Sequence, residues 1–247
     1  MALWRCWYAI RLARASSLPE VRLGPWRLFA GSHNDLSFGF IEMFVREEYG
    51  VALPTATPTI IDCGANIGMA ALYFKARYPA AKVVCFEPNP ACCDLIERHV
   101  RVNSLRDVTL MRVACGVAPG EARFFVNQTD SIVSSFYRER AQSDLEIRVP
   151  VVRLSESING PVDLVKMDVE GAEWDIFDDL IGSGKMPLIK SMIVEYHHQI
   201  DGRPAELSRF LRMIEGAGFR YELDAKLSRY QRFTGGFQDV MIYASRG

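Results

Sequence analysis

The sequence lacks the features that mark membrane-spanning and nucleic-acid-binding proteins. None of its apolar runs approaches the ~18 residues needed to cross a bilayer. It contains no long run of lysine or arginine, and its formal net charge is -1, without the broad positive charge of a nucleic-acid binder. We therefore expect no integral membrane segment, no nucleic-acid partner, and a substrate that is a small molecule or an uncharged group on a larger one.

The cysteines form neither a metal motif nor a redox motif. No C-x-x-C pair occurs, and most of them lie in apolar or helical segments, as buried free thiols do. The vicinal pair Cys92 and Cys93 would form a strained disulfide, so we interpret it as two small residues on a helix. The pattern predicts a reducing, cytoplasmic location. The full set is Cys6, Cys63, Cys85, Cys92, Cys93 and Cys115.

The chain of 247 residues, 49% of them hydrophobic, can bury the core of one α/β domain. Up to about residue 57 the sequence is aromatic-rich and irregular, and Pro54 and Pro58 then precede a β-branched apolar run. We predict that residues 1–57 are an extension that caps the substrate site, and that 58–247 are the catalytic domain. Residues 1–17 predict a short amphipathic helix, with a membrane-surface role as the alternative.

From residue 59 the chain alternates strands and helices, which predicts an α/β fold with a Rossmann-like, doubly wound, mostly parallel sheet and an antiparallel terminal strand. Asn89 and Pro90 are good starting residues for a helix, and His99 on its apolar stripe is interpreted as a core-edge residue. Two alternating segments are expected to form an inserted hairpin or edge pair. The predicted strands are 59–63, 82–86, 108–113, 122–126, 147–154, 162–167, 189–195, 219–223 and 240–244, and the helices are 66–78, 90–102 and 204–215.

A turn rich in small residues follows the first strand of this sheet, where strand order reverses and ligands bind. It reads Asp62-Cys63-Gly64-Ala65-Asn66-Ile67-Gly68, and its glycines allow a sharp turn and a close approach to a ligand. Glu87 lies 23 residues after Gly64, at the end of the second strand. A carboxylate there can accept both hydroxyl protons of a ribose. The two features together predict a ligand that contains adenosine.

The turn departs from the G-x-G-x-x-G fingerprint of dinucleotide-binding proteins, because Asn66 replaces the central glycine. Asp62 would also repel a pyrophosphate, whereas it suits the sulfonium and ammonium groups of S-adenosylmethionine. We therefore predict S-adenosylmethionine as the cofactor and S-adenosylhomocysteine as the product. A nicotinamide-dependent oxidoreductase, a non-catalytic binding or scaffold protein, and an aminopropyltransferase are the alternatives.

Polar residues appear abruptly after the predicted strand 162–167. Asp168, Glu170 and Glu173 place three carboxylates within six residues, at the sheet edge where we expect the reaction to occur. Glu170 and Glu173 also suit the first turn of a following helix, where negative charge is favourable. For Glu173 this structural interpretation is at least as good as a functional one.

Three blocks of the sequence resemble the signatures of the FkbM family of methyltransferases and occur in the family's order. They are Asp62-Cys-Gly-Ala-Asn-Ile-Gly68, Phe86-Glu-Pro-Asn-Pro90 and Lys166-Met-Asp-Val-Glu-Gly-Ala-Glu173, and 191–197 is similar to the family's fifth-strand block. The resemblance covers roughly residues 35 to 245. It implies the class I methyltransferase fold, S-adenosylmethionine as methyl donor and, for many members, O-methylation of sugars, polyketides or related natural products. N- and C-methylation stay open.

By position, the resemblance implies that the turn after the first strand holds the methionine end of the cofactor, that Glu87 holds the ribose, and that Asp168 faces the transfer centre. The residues predicted to contact the cofactor are Asp62, Gly64, Ala65, Asn66, Gly68, Glu87, Pro88, Asn89, Ala114 and Asp168.

An acceptor hydroxyl must lose its proton during or just after methyl transfer. The predicted catalytic residues are His197, whose intrinsic pKa suits a base, and Asp168 and Glu170, although His198 could be the histidine that points inward. Mg²⁺ held by Asp168 and Glu195 is an alternative that the sequence does not favour, so we expect no metal. The pocket walls are predicted from 1–49, 127–144 and 196–203, and a homodimer stays open.

Overall fold

A computed structural model describes residues 20–198, 200, 206–225 and 238–246. The helix predicted over residues 1–17 lies outside them. The strands are β1 (Val21–Leu23), β2 (Trp26–Leu28), β3 (Thr59–Cys63), β4 (Lys82–Phe86), β5 (Val108–Met111), β6 (Ala114–Cys115), β7 (Gly120–Phe125), β8 (Glu146–Val152), β9 (Leu164–Met167), β10 (Ser191–His198), β11 (Arg220–Ala225) and β12 (Gln238–Ser245). The α-helices are α1 (His33–Phe40), which a π-helical turn (Ile41–Arg46) continues, α2 (Met69–Arg77), α3 (Pro90–Val102), α4 (Arg138–Ala141), α5 (Glu173–Gly182) and α6 (Leu207–Gly216).

The centre is a seven-stranded sheet in the order β11-β12-β10-β9-β3-β4-β5. Strands β3, β4, β5, β9 and β10 pair in parallel, and β12 runs antiparallel to both β10 and β11. This confirms the predicted doubly wound sheet with an antiparallel last strand. The order reverses between the paired strands β3 and β9, so a crevice is expected beyond their carboxyl ends.

The predicted insertion is a separate small sheet. Strand β7 pairs antiparallel with β8, and β6 pairs in parallel with β8. Strands β3 and β4 and helix α3 have their predicted bounds, whereas α2 begins at Met69 rather than at residue 66. The reason is local, because Asn66 and Gly68 adopt left-handed φ values of 47° and 83° that a helix cannot contain.

The sheet is covered on both faces. On one face, Leu72 and Phe74 of α2 pack with Phe40 of the extension. On the other, Phe177 of α5 packs with Phe210 of α6. Burial of each side chain of this size contributes about 1.5–3 kcal/mol to the stability of the fold. Residues of the extension and of the sheet lie in the same buried cluster, so they share one core. Within the described residues, no helix is both long enough and apolar enough to cross a membrane.

The cysteines that the structure describes are buried and free. Cys92 and Cys93 are neighbours on α3 without a disulfide between them, in agreement with the interpretation of two small helical residues. Cys6 lies outside the described residues.

His99 ties the extension to the domain. Its Nε2 accepts the Phe29 backbone N–H at 2.7 Å, and its Nδ1 donates to the Ile67 carbonyl at 2.8 Å. The ring is 1% exposed, so His99 belongs to the core, as expected. Burial lowers its pKa to about 4.

The depressed pKa of His99 predicts a loss of stability in mild acid. The unfolded chain binds a proton near pH 6.5 and the folded chain only near pH 4, so the stability that neutral His99 provides is lost as pH falls through this window. Between pH 7.5 and 5, the wild type should lose about 2 kcal/mol more unfolding free energy than His99→Gln. Urea denaturation of both proteins at the two pH values measures this difference, and equal losses would contradict the assignment.

Candidate active site

A cavity opens beyond the carboxyl ends of β3, β4 and β9, at the reversal of strand order, where ligands of such sheets bind. Its walls come from the turn after β3, from the extension between Asp35 and Tyr49, and from the segment 131–136. Two of the three predicted wall segments therefore contribute. Of the third, 196–203, residues 199 and 201–203 lie outside the described residues.

Most of the residues predicted to contact the cofactor line this cavity, but three stand behind its wall. Gly68 starts α2, and Asn89 caps α3 by accepting the Ala91 N–H. Asp62 has no exposed surface. The predicted residues that line the cavity are Gly64, Ala65, Asn66, Glu87, Pro88, Ala114 and Asp168.

The turn after β3 requires glycine at position 64. Gly64 has a φ of 77°, and a Cβ there would lie 1.7 Å from the Asp168 carbonyl oxygen. The Gly64 and Ala65 N–H groups both donate to the Phe86 carbonyl at 3.0 Å. The Asn66 side-chain oxygen accepts the Ser131 hydroxyl at 3.1 Å. The turn is therefore hydrogen-bonded to β4, packed against the end of β9 and linked by the Asn66 side chain to the 131–136 segment.

Glu87 is a buried carboxylate at the end of β4. Its Oε2 accepts the Asn66 N–H at 2.7 Å, and its Oε1 accepts the Asn89 N–H at 2.8 Å. Burial raises its pKa to about 7, although both backbone donors oppose the shift. An ionised carboxylate offers about four acceptor positions, so Glu87 has acceptors left for a ligand in the cavity.

Lys166 on β9 places a buried ammonium group beside the turn. Its Nζ donates to the Gly64 carbonyl at 2.6 Å and lies 3.2 Å from Asp62 Oδ1 and 3.4 Å from Asp168 Oδ2. Burial alone would lower the pKa of Lys166, but the charges of Asp62 and Asp168 outweigh it and raise the pKa. Sequence reasoning assigned Lys166 no role, although a lysine within a buried apolar strand is a signal in itself.

The ion pair with Lys166 corrects the direct cofactor contact predicted for Asp62. The Asp62 carboxylate is enclosed beneath Lys166, where burial raises its pKa and the ammonium group opposes that shift. Asp62 therefore contacts Lys166, which lines the cavity, and does not line the cavity itself.

Three predicted catalytic residues meet at the far end of the cavity. His197 Nε2 lies 3.2 Å from Glu170 Oε2 and 3.8 Å from Asp168 Oδ1. Asp168 accepts the Tyr49 hydroxyl at 3.3 Å, and Glu170 pairs with Arg140. Asp168 and Glu170 line the cavity, whereas the His197 side chain is 1% exposed behind them.

Glu173 does more than place a negative charge in the first turn of α5. Its Oε1 accepts the N–H of His197 Nδ1 at 2.7 Å, which fixes the orientation of the imidazole. His198 points to the opposite face of β10 because side chains alternate along a strand, and its ring contacts Tyr196. His197 is therefore the inward-facing histidine.

The surroundings of His197 work against the predicted general base. Burial alone would lower the pKa of His197, but the charges of Glu170 and Glu173 outweigh it and hold the pKa well above its usual value. A raised pKa favours the protonated imidazole, which must lose its proton before it can act as a base or bind a cation.

The acidic cluster of the structure differs from the Asp168 and Glu195 pair of the magnesium alternative. Burial, followed by the charge of Asp168, raises the pKa of Glu195 well above its usual value. The residues that the structure gathers instead are Asp168, Glu170 and His197, with ligand atoms all within 4.8 Å of one another.

The cavity wall is acidic. Sequence reasoning did not find Asp35 and Glu42, which belong to the extension and carry no motif. Burial raises the pKa of Asp35, whose Oδ1 accepts the Ser131 N–H at 3.1 Å. The acidic residues of the wall are Asp35, Glu42, Glu87, Asp168 and Glu170, and Lys166 is the one lysine or arginine among its described residues.

Comparison with known proteins matches residues 62–221 to the family model described as the methyltransferase FkbM domain. Methyltransferase sdnD of Sordaria araneosa is 26% identical over 226 residues, which covers 77% of this chain and 85% of that protein. The 31-O-demethyl-FK506 methyltransferase FkbM of Streptomyces tacrolimicus is 27% identical over 195 residues, covering 65% and 72%.

A solved structure has the same fold. It is a methyltransferase FkbM from Methylobacillus flagellatus KT, with a TM-score of 0.54 and 12% sequence identity over 97% of this chain. This chain spans 58% of the length of that protein.

Proposed function

Because the chain belongs to the FkbM family of methyltransferases, we propose that it transfers the methyl group of S-adenosylmethionine to a hydroxyl of a small molecule. A sugar, a polyketide or another natural product is the proposed class of acceptor. O-methylation is supported by the relative named as a 31-O-demethyl-FK506 methyltransferase, and N- or C-methylation is the alternative.

The acidity of the cavity carries this proposal. Five carboxylates and one lysine line it, and in such a wall a cationic ligand is attracted whereas an anionic one is repelled. S-adenosylmethionine carries a sulfonium and an ammonium group. The pyrophosphate of a nicotinamide dinucleotide carries negative charge, so the same wall disfavours the oxidoreductase alternative.

The residues present fit S-adenosylmethionine. Glu87 would accept the ribose hydroxyls with the acceptor positions that Asn66 and Asn89 leave free. Gly64, Ala65 and Asn66 line the cavity and would place the backbone of the turn beside the methionine end. When bound, the cofactor supplies an electrophilic methyl group, whose carbon–sulfur bond breaks with its electron pair left on sulfur as the acceptor oxygen bonds to the carbon.

The chain itself binds and orients the cofactor and the acceptor, and it takes the proton of the acceptor hydroxyl. Asp168 and Glu170 are the carboxylates of the far end that line the cavity, and we assign the proton to them. Lys166 and Tyr49 hold Asp168 in place, and Arg140 holds Glu170. His197 acts behind both carboxylates through its contacts with them.

The extension belongs to the same proposal. Asp35, Glu42 and Tyr49 bring the described part of residues 1–57 into the cavity wall. We assign this region the role of a cap over the substrate site, and residues 58–247 the role of the catalytic domain.

Calorimetric titration with S-adenosylmethionine, S-adenosylhomocysteine and NADH tests the proposal. Micromolar binding of the first two, without binding of NADH, is the expected result. S-adenosylhomocysteine release is then measured over a panel of hydroxylated acceptors. A folded protein that binds NADH and neither adenosyl compound would reverse the choice in favour of an oxidoreductase.

A further inference from the structure

We propose that Asp168, Glu170 and His197 form a binding site for a divalent metal cation at the far end of the cavity. The role of the cation in methyl transfer rests on the function proposed above, whereas its binding rests on the side chains alone. Sequence reasoning expected no metal and offered only an Asp168–Glu195 pair for magnesium, so the site differs from that alternative in two of its ligands.

The first observation is a buried nitrogen that points at the carboxylates. His197 Nε2 has no hydrogen-bond partner of good geometry among the described residues, although its side chain is 1% exposed. It faces Glu170 Oε2 at 3.2 Å and Asp168 Oδ1 at 3.8 Å. A buried polar atom without a partner is costly, and a cation bound by all three groups would satisfy it.

The spacing of these atoms suits a metal. Ligand bonds of about 2.0–2.2 Å place neighbouring donor atoms about 3 Å apart and opposite ones just over 4 Å apart. The two distances from His197 Nε2, 3.2 Å and 3.8 Å, fall within this range, and the three donors all lie within 4.8 Å of one another. Asp239 Oδ1, a further buried oxygen without a hydrogen bond in the described part of the chain, lies 4.0 Å from His197 Nε2 and is available as a fourth donor.

The second observation is the partner on the other side of the ring. Glu173 Oε1 is 2.7 Å from His197 Nδ1 and is 1% exposed. A metal-binding histidine commonly donates its second ring N–H to a carboxylate, which fixes the tautomer and directs the free lone pair at the metal. Glu173 does this for His197, and it directs Nε2 toward Asp168 and Glu170.

The local charge also favours a cation. Lys166 and Arg140 lie beside the carboxylates around His197, and a protonated imidazole adds a third positive charge. The carboxylates outnumber these positive groups, so net negative charge remains around His197, where burial of an uncompensated charge is destabilising. A divalent cation would neutralise it. These carboxylates are Asp62, Asp168, Glu170, Glu173 and Asp239.

The donors select the class of metal. One imidazole with carboxylate oxygens and no thiolate suits Mn²⁺ or Zn²⁺ better than Ca²⁺. Because Asp168 and Glu170 line the cavity, a cation between them would face the acceptor and lower the pKa of its hydroxyl. The hydroxyl then yields its proton to Asp168 Oδ2, the carboxylate oxygen that does not face His197 Nε2.

The test is calorimetric titration of the chelator-treated chain with MnCl₂, repeated with ZnCl₂ and MgCl₂. One Mn²⁺ or Zn²⁺ per chain at micromolar affinity is expected, with Mg²⁺ weaker. His197→Gln should weaken binding at least tenfold. His198→Gln, the same change one position along β10 and on its opposite face, should leave the affinity within about twofold.

Circular dichroism establishes that each variant is folded. If His197→Gln does not fold, Glu173→Gln replaces it, with an affinity expected to fall by about 10–100-fold. The proposed site is overturned if the folded wild type binds no metal, or if the folded variant binds the metal as tightly as the wild type does.

S-adenosylmethionine titrations of the same samples separate the two proposals. Metal binding without donor binding contradicts only the methyltransferase function. Donor binding without metal binding contradicts only the cation site.

Discussion

Replacing Asp168 by asparagine is expected to lower the turnover number by about 10²–10⁴-fold, the usual contribution of a positioned proton acceptor. Asparagine has the same shape and can still accept the Tyr49 hydroxyl, which Asp168 accepts at 3.3 Å. It lacks the negative charge that takes the proton and that pairs with Lys166. The measurement is S-adenosylhomocysteine release with the acceptor that the panel identifies.

Asp163→Asn is the matched control for Asp168→Asn. Asp163 immediately precedes β9, and its buried carboxylate also pairs with a lysine, because Lys190 Nζ lies 2.7 Å from its Oδ1. It stands at the opposite end of the strand from the cavity. Asp163→Asn should change stability and leave turnover within about threefold. Turnover by Asp168→Asn within threefold of the wild type, or an equal loss in both variants, would contradict the role assigned to Asp168.

The parts of the fold that depend on neighbouring residues could be predicted from the sequence. Asn89 accepts the Ala91 N–H, so the start of α3 is determined within three residues, and both ends of the helix were predicted. The start of α2 was wrong by three residues. Asn66 and Gly68 in left-handed conformations extend the preceding turn, and the helical pattern of the following residues does not show this.

The parts of the site that depend on distant contacts could not be predicted in the same way. Asp35 meets Ser131 across 96 residues, and Tyr49 meets Asp168 across 119. Neither Asp35 nor Tyr49 belongs to a motif. The motif residue Asp62 was found, but its contact was not, because only the pairing of β3 with β9 brings Lys166 over it.

Replacing Glu87 by alanine is expected to weaken S-adenosylmethionine binding by about 10–100-fold. This factor corresponds to the net loss of one hydrogen bond to a charged carboxylate, at about 1.5–3 kcal/mol. Calorimetry on the wild type and the variant measures the loss directly. S-adenosylhomocysteine should lose affinity by a similar factor, because it has the same ribose and differs at the sulfur.

The pH dependence separates a ligand-binding carboxylate from one that only supports the turn. Burial raises the pKa of Glu87 to about 7, so below pH 7 the free protein protonates Glu87 and must release that proton to accept two ribose hydroxyls. As the pH falls from 7 to 5, the wild-type dissociation constant should therefore increase by a factor that approaches ten for each pH unit. The dissociation constant of Glu87→Ala should not change in this way.

Glu97→Ala is the control. Glu97 lies on α3 and is an exposed carboxylate paired with Arg112, so this variant should match the wild type in affinity and in pH dependence. A Glu87→Ala protein that binds the donor as the wild type does would exclude Glu87 from the donor site.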